Sequence, residues 1–501
     1  MSLKPNPKVC GLRSSRAGDQ NDAGTLVSEI TMKERLLIAA CILALVPAAP
    51  IGTQSRRTKP RAATRPGNPE IEKIVSEISP ERIESNIKSL VGFYTRSTLS
   101  DAQSETRGIG AARRWIKSEF DGYSRDSGGK LQVEMDQFTQ APGPRNPKPV
   151  EVVNVVATLP GAQAESRDRM YVVSGHYDSR VSNVMDATSF APGADDDASG
   201  TAAVMEMARV MSKHQFNATL VFITVAGEEQ GLLGSTHWAQ MAKDKHLDIQ
   251  GMITNDIIGS SMADDGHVDN RHVRVFAEGV PPIAQVSDEL RTLIRTGGEN
   301  DTPTRELARK IKEVAEQYVK GMEVTLIYRL DRFLRGGDHS PFVDRGYPAV
   351  RMTEPNEIYR HQHQDVREVE GVKYGDLPEF DDYNYIAQVA RVNAAALANL
   401  ALAPGAPKNV QVDTIKLEND TTLKWDAGHE PDLAGYNIVW RETTAPFWQH
   451  RIFAGNVTTY TAKGVSKDNW IFGVEAVGKN GTTSPAVYPK PNRPARRPDQ
   501  S

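Results

Sequence analysis

Four short stretches of this chain carry the residues whose types and spacing fit metal chemistry. They are Ser174-Gly175-His176-Tyr177-Asp178; Pro192 to Gly200, with Asp195, Asp196 and Asp197 in a row; Ala226-Gly227-Glu228-Glu229-Gln230-Gly231; and Asn255-Asp256-Ile257-Ile258-Gly259. Each follows or interrupts an apolar run. Four or more carboxylates gathered at one point repel one another, and desolvation worsens the repulsion. One or two divalent cations remove that penalty. Imidazole nitrogen and carboxylate oxygen suit zinc, at about 2.0–2.2 Å. Two zinc ions about 3.5–4 Å apart need a carboxylate between them, and one acid of the Asp195–Asp197 run is the natural candidate. The two cysteines, Cys10 and Cys41, both lie near the N-terminus, so a site further along uses His, Asp and Glu.

Taken singly, each stretch has a plainer reading. A lone His176 is more often a hydrogen-bonded structural histidine. Three aspartates in a row are more often a solvated turn or a calcium loop. Glu228-Glu229 alone fits a helix N-terminus, where carboxylates favour the dipole. Their order, and their placement after apolar runs, argues for one site.

The elements that must position them read as an α/β domain. Met170–Gly175, Leu220–Val225 and Gly251–Asn255 are short apolar runs of the kind buried strands have. Tyr347–Met352 is a further strand, and Leu131–Phe138 and Val152–Leu159 precede them. Helical spacing is expected from Pro69 onward, over Ala111–Phe120, over Ser199–His214 with Ser199 as N-cap, over Thr304–Lys320, and over Tyr383–Leu402. Strands alternating with helices predict a mostly parallel mixed sheet flanked by helices. In such sheets, side chains just past the carboxyl ends of the strands line the ligand crevice. After Pro404 the pattern shifts to short alternating stretches separated by turns, which predicts a small all-β sandwich.

With 501 residues the chain is long enough for two folded units plus tails. Its net charge of −4 gives no basis for nucleic-acid binding. Met32-Lys33-Glu34-Arg35 followed by apolar Leu36–Ile51 resembles a secretory leader over 32–52, which implies a secreted or periplasmic protein. Residues 1–31 then read as a misassigned upstream extension. Residues 53–68 read as a basic linker, 69–403 as the catalytic unit, 406–488 as the sandwich, and 489–501 as a disordered tail.

The series HxD, GAxDxxSG, AGEEQGLxGS and NDxxG resembles the M28 family of co-catalytic zinc aminopeptidases and related exopeptidases, over about residues 70–402. The resemblance implies a zinc exopeptidase-like fold and two zinc ions. It implies that His176 and Asp256 bind one ion, that Glu229 binds the other, and that Asp196 bridges both. Asp178 would orient His176, and Glu228 would be the general base. The last ligand would be His363, by alignment of His361-Gln362-His363 with the family's HQH; the family's His-to-acid separation would select His361 instead. Here Gln364 stands where many relatives have Thr. His339, in Gly337–Phe342, matches a stretch near the cleft that is not usually a ligand. The stretch 406–488 resembles a fibronectin type III domain, fit for surface or polymer contact.

What this implies is hydrolysis of N-terminal residues from peptides with a free amine, by a water between two zinc ions and a glutamate base. A carboxypeptidase or dipeptidase on the same scaffold would need a cationic clamp, for which Arg329, Arg332 and Arg335 are candidates. A one-zinc glutaminyl cyclase would lack the full ligand set. A non-catalytic binding protein would lack the base or a ligand. Loops 260–271 and 299–305 are candidates for substrate selection.

Overall fold

The computed structural model describes residues 67–280 and 287–492. The expected leader, the stretch before it and most of the linker lie outside these. Asn68 accepts a hydrogen bond from the Glu70 N–H, and Pro69 opens α1 (Pro69–Glu77); Ser79 and Pro80 repeat the device for α2 (Pro80–Gly92). The linker therefore ends on a helix cap. The chain continues through α3 (Gly108–Asp126), β1 (Gln132–Gln140), β2 (Val150–Leu159), β3 (Arg169–His176), α4 (Gly200–Met211) and β4 (Thr219–Val225). There follow α5 (Leu233–Asp244), β5 (Asp248–Asn255), β6 (His272–Ala277), α6 (Asp288–Arg295), α7 (Pro303–Tyr318) and β7 (Glu323–Ile327). The unit closes with α8 (Ser340–Asp344), β8 (Ala349–Thr353), a hairpin of β9 (Arg367–Val369) and β10 (Val372–Tyr374), and α9 (Tyr383–Leu402).

Eight strands form one mixed sheet in the order β1-β2-β4-β3-β5-β8-β6-β7. The central run β4-β3-β5-β8 is parallel, and β1, β2 and β6 join antiparallel. Alternate residues of each central strand face opposite layers. Leu220 and Phe222 pack with α1–α4, α7 and α9, whereas Val221, Ile223 and Val225 pack with Trp238 and Ala239 of α5 and Phe342 of α8. Both faces are covered, so Thr219–Val225 reads as a continuous apolar run and is buried throughout. Strands β6 and β7 and helices α5, α6 and α8 are not expected from the sequence. Their runs are short or mixed with charge, and their pairing supplies what local pattern does not.

The C-terminal segment forms β11 (Gln411–Val412), β12 (Thr421–Lys424), β13 (Leu433–Glu442), β14 (His450–Gly455), β15 (Thr459–Ala462), β16 (Trp470–Gly478) and β17 (Lys490–Pro491). They make two sheets, β15-β12-β11-β17 and β14-β13-β16, around Val410, Leu423, Trp425, Tyr436, Ile438, Phe472 and Val474. The tail expected from 489 is corrected at its start. Lys490 and Pro491 pair with β11, and the Asn492 N–H donates to the Val412 carbonyl at 3.1 Å.

The described residues cluster as one unit, and the catalytic part and the sandwich meet through buried charge. Arg441 of β13 donates to both Asp301 oxygens at 2.8 and 2.7 Å, and Arg309 of α7 reaches the same carboxylate at 3.0 Å. Lys310 pairs with Glu475 of β16 at 3.1 Å, and the Trp448 indole donates to Glu306 at 3.0 Å. Within the stretch 299–305, Asp301 is thus engaged with the sandwich.

Candidate metal centre

His176 is the last residue of β3 and Asp178 stands just past it; Glu228 and Glu229 follow β4, Asp256 follows β5, His363 lies in the segment after β8, and Asp196 sits in the turn before α4, so the strand ends and this turn bring them together. Close approach is needed here: a Cβ on Gly175 would lie 2.5 Å from the Gly200 carbonyl carbon, so only glycine lets α4 abut β3.

Two sets of three ligand atoms result, each within 4.8 Å of one another: His176, Asp196 and Asp256, and Asp196, Glu229 and His363. His176 Nε2 lies 3.1 Å from Asp196 Oδ1 and 3.9 Å from Asp256 Oδ1. His363 Nε2 lies 2.9 Å from Asp196 Oδ2 and 3.0 Å from Glu229 Oε1. Asp196 thus offers one oxygen to each set. His361 is turned away and stacks on Phe380, with centroids 3.8 Å apart and planes at 8°. Burial and the Arg360 charge lower its imidazole to about 4. His339 is buried with Nε2 2.7 Å from the Leu330 carbonyl.

The donors are imidazole nitrogens and carboxylate oxygens, a set that fits zinc. His176 Nε2 and Glu229 Oε1 are buried and make no well-aligned hydrogen bond, as ligand atoms should. Burial opposes charge on His363, yet Glu229 and Asp196 carry it up to about 11. His176 is raised in the same way, with burial opposed by Asp197, Asp178 and Asp196. The acids of this pocket call for positive charge.

Asp178 serves more than the histidine. Its Oδ1 is 3.5 Å from His176 Nδ1 and accepts the Glu228 N–H at 3.3 Å; its Oδ2 accepts the Glu229 N–H at 3.3 Å and the Thr98 hydroxyl at 3.0 Å. The nearer atom to His176 Nδ1 is the Asp178 carbonyl oxygen, at 3.2 Å. Asp197 Oδ2 accepts the His176 N–H at 2.8 Å and its Oδ1 the Gly200 N–H at 3.0 Å. Asp197 therefore caps α4. The expected cap, Ser199, has helical torsions and donates to the Asp195 carbonyl at 2.7 Å instead. The Asp196–Asp197 peptide is cis. Burial raises Glu228 well above the usual carboxylate range; Glu229, Asp256 and Asp338 add to this and His176 opposes it.

Several residues of the centre carry no motif. Asp376 accepts the N–H groups of Asp195 and Asp196 at 2.9 and 2.8 Å and so holds the backbone of the shared aspartate. Arg96, fully buried, donates to the carbonyls of Tyr177, Pro192 and Gly193 at 2.7, 2.6 and 2.8 Å. Arg351 donates to Asp256 Oδ1 at 2.8 Å and to Asp331 at 3.2 Å. A charge inside the apolar strand Ala349–Thr353 was the signal for it, since a buried charge needs a partner. The clamp candidates are engaged elsewhere: Arg332 and Arg335 pair with Glu357 at 2.9 and 3.0 Å, and Arg329 lies over the Phe333 ring.

Residues 154–375 match Peptidase family M28. Over 428 residues the chain is 50% identical to a "Probable zinc metalloprotease" of Pyrenophora tritici-repentis, covering 85% of this chain and 88% of that one. A "Probable zinc metalloprotease" of Leptosphaeria maculans is 51% identical over 422 residues, covering 84% and 97%. The LapA aminopeptidase of Legionella pneumophila superposes more loosely, with a TM-score of 0.47 at 19% identity over 67% of this chain and 76% of that one. The chain belongs to peptidase family M28. It is a zinc metallopeptidase, a hydrolase of peptide bonds.

Proposed function

We propose that the chain is an aminopeptidase that removes N-terminal residues from peptides, with a pair of zinc ions and Glu228 as general base. The observation that carries this reading is Asp196, whose two oxygens belong to two different ligand sets. A single-ion site has no use for a carboxylate so shared. His176 and Asp256 would hold one ion, Glu229 and His363 the other, with Asp196 between them. Bound zinc supplies Lewis acidity toward the scissile carbonyl and lowers the pKa of water.

The chain's own residues do the rest. Glu228 takes the proton of the attacking water and returns it to the leaving amine. Asp178 holds the Glu228 backbone and the His176 side chain, keeping base and ligand in register. The preference for a free amine is supported by the acid-rich pocket, which suits an ammonium group. The carboxypeptidase alternative loses support because Arg332 and Arg335 are paired with Glu357. Secretion through the 32–52 leader, and surface or polymer contact by a fibronectin type III-like sandwich, complete the reading.

The test compares free-amine and N-acetylated peptides on zinc-loaded protein, with zinc per chain measured in parallel. Two zinc ions and cleavage of the free-amine peptides alone are expected. Equal cleavage of blocked peptides, or release of C-terminal residues, would overturn the aminopeptidase assignment.

A further inference from the structure

Asn-x-Thr sequons begin at Asn217, Asn300, Asn419, Asn456 and Asn480, and the fold treats them differently. Asn217 spends both amide hydrogens, donating to the Leu402 carbonyl at 3.1 Å and to Asp432 at 3.0 Å. Asn480 donates to the same Leu402 carbonyl at 3.2 Å. Asn300 is half-buried, and its Oδ1 accepts from Arg305. Asn419, in the loop between β11 and β12, and Asn456, in the turn between β14 and β15, are exposed. Neither of these two side chains has a hydrogen-bond partner among the described residues.

Their surroundings set the two apart further. Ile415 and Leu417 precede Asn419 and are 64% and 92% exposed; Ile452, Phe453 and Val457 flank Asn456 at 40%, 55% and 39%. Among the described residues of the sandwich, Phe447 is the one other large apolar side chain so exposed. Strand β14 is also an edge of its sheet, so Ile452 and Phe453 stand beside unpaired backbone N–H and C=O groups. An exposed apolar edge invites pairing with another chain, and charge is a common defence. Here Arg451 is spent on Glu313 and Glu475, at 2.9 and 3.0 Å. A bulky, hydrated group beside the strand would supply the defence that charge does not.

We propose that Asn419 and Asn456 carry N-linked glycans that cover these apolar residues, and that Asn217, Asn300 and Asn480 stay unmodified. The proposal rests on the secretion reading, because the transfer takes place on the secretory route. The Asn amide nitrogen attacks C1 of the terminal N-acetylglucosamine of a lipid-diphosphate-linked oligosaccharide. The N–C1 bond forms, the bond from C1 to the diphosphate oxygen breaks, one amide proton is lost, and the lipid diphosphate leaves with the electron pair. The Thr421 hydroxyl of the first sequon donates to the Val465 carbonyl at 2.7 Å in the folded protein, so transfer at Asn419 precedes the closure of β12.

The test expresses the protein in a eukaryotic secretory host in two forms, one with its own N-terminus and one with a heterologous leader joined to residue 53. Enzymatic glycan release in oxygen-18 water turns each modified Asn into a mass-tagged Asp, which peptide mapping locates. Tags at Asn419 and Asn456 alone are expected, and Asn419→Gln and Asn456→Gln should each remove one step of gel mobility. Failure of the first form alone to be secreted counts against the native leader, and the second form still decides the glycans. Trimming the glycans from folded protein should leave zinc per chain unchanged and raise the mean mass in sedimentation at least about twofold, as the bared edge self-associates. Leu417→Ser with Phe453→Ser should return the trimmed protein to its starting size. An unmodified Asn419 or Asn456 in the secreted protein overturns the proposal. So does a glycan on Asn217, Asn300 or Asn480, or trimmed protein of unchanged size. If the variants are not secreted, mapping and trimming of the wild type decide.

Discussion

His363 Nε2 stands 2.9 Å from Asp196 Oδ2, while His361, two residues earlier, lies flat on Phe380. Replacing the two histidines should therefore have opposite consequences. His363→Ala is expected to lose at least one zinc per chain and at least about 100-fold in activity, in line with loss of a ligand at a metal site. His361→Ala should keep its zinc and lose only a stacking contact, about 0.5–1.5 kcal/mol beyond its area. Metal analysis of the two purified variants decides; zinc loss in His361→Ala alone would move the ligand.

Glu228→Gln keeps the shape of the side chain and the Asp178 contact to its N–H. It should fold, bind zinc normally and lose about 10²–10⁴-fold in kcat, the range of a general base. Turnover near wild type in a zinc-loaded preparation would remove Glu228 from that role.

Zinc binding should release protons. His363 is raised to about 11 in the metal-free protein, because Glu229 and Asp196 outweigh burial. A histidine with a raised folded pKa stabilises the metal-free fold fully below its unfolded value near 6.5, and loses that contribution as pH rises through about 11. At neutral pH the imidazole therefore carries a proton that zinc must displace. Zinc affinity should fall by about tenfold per pH unit per displaced proton on acidification from pH 8 to 6. Competition with a chromogenic chelator at several pH values measures the slope, and a flat profile would contradict it.

Asp376→Ala leaves the N–H groups of Asp195 and Asp196 without their acceptor. Two unpaired buried donors, at about 1–3 kcal/mol each, should cost about 2–6 kcal/mol and loosen the shared aspartate. Denaturant unfolding and zinc affinity should both move; a change in neither would show that the turn holds itself.

Much of the scaffold is legible along the chain, for reasons that show where legibility stops. Tyr383–Leu402 has helical spacing and a capping aspartate before it, and the helix spans the expected residues. Buried β3, β4 and β5 stand out as apolar runs. His176, Asp196, Glu229 and Asp256 stand out because strand ends deliver them in order. Asp376 and Arg351 do not, since neither belongs to a periodic pattern and each acquires its meaning only from a partner distant in sequence. Ser199 misled because its type suits a cap, yet Asp197 reaches the same N–H first.

The charges between α7 and the sandwich have a bearing on how this enzyme can be inherited and cut. Severing the chain near residue 404 would remove no zinc ligand, yet it would strip Arg309 and Lys310 of the surface built over them and leave Asp301 without Arg441. Shuffling the catalytic unit onto another partner would meet the same obstacle. The sandwich is thus no detachable passenger of the catalytic unit.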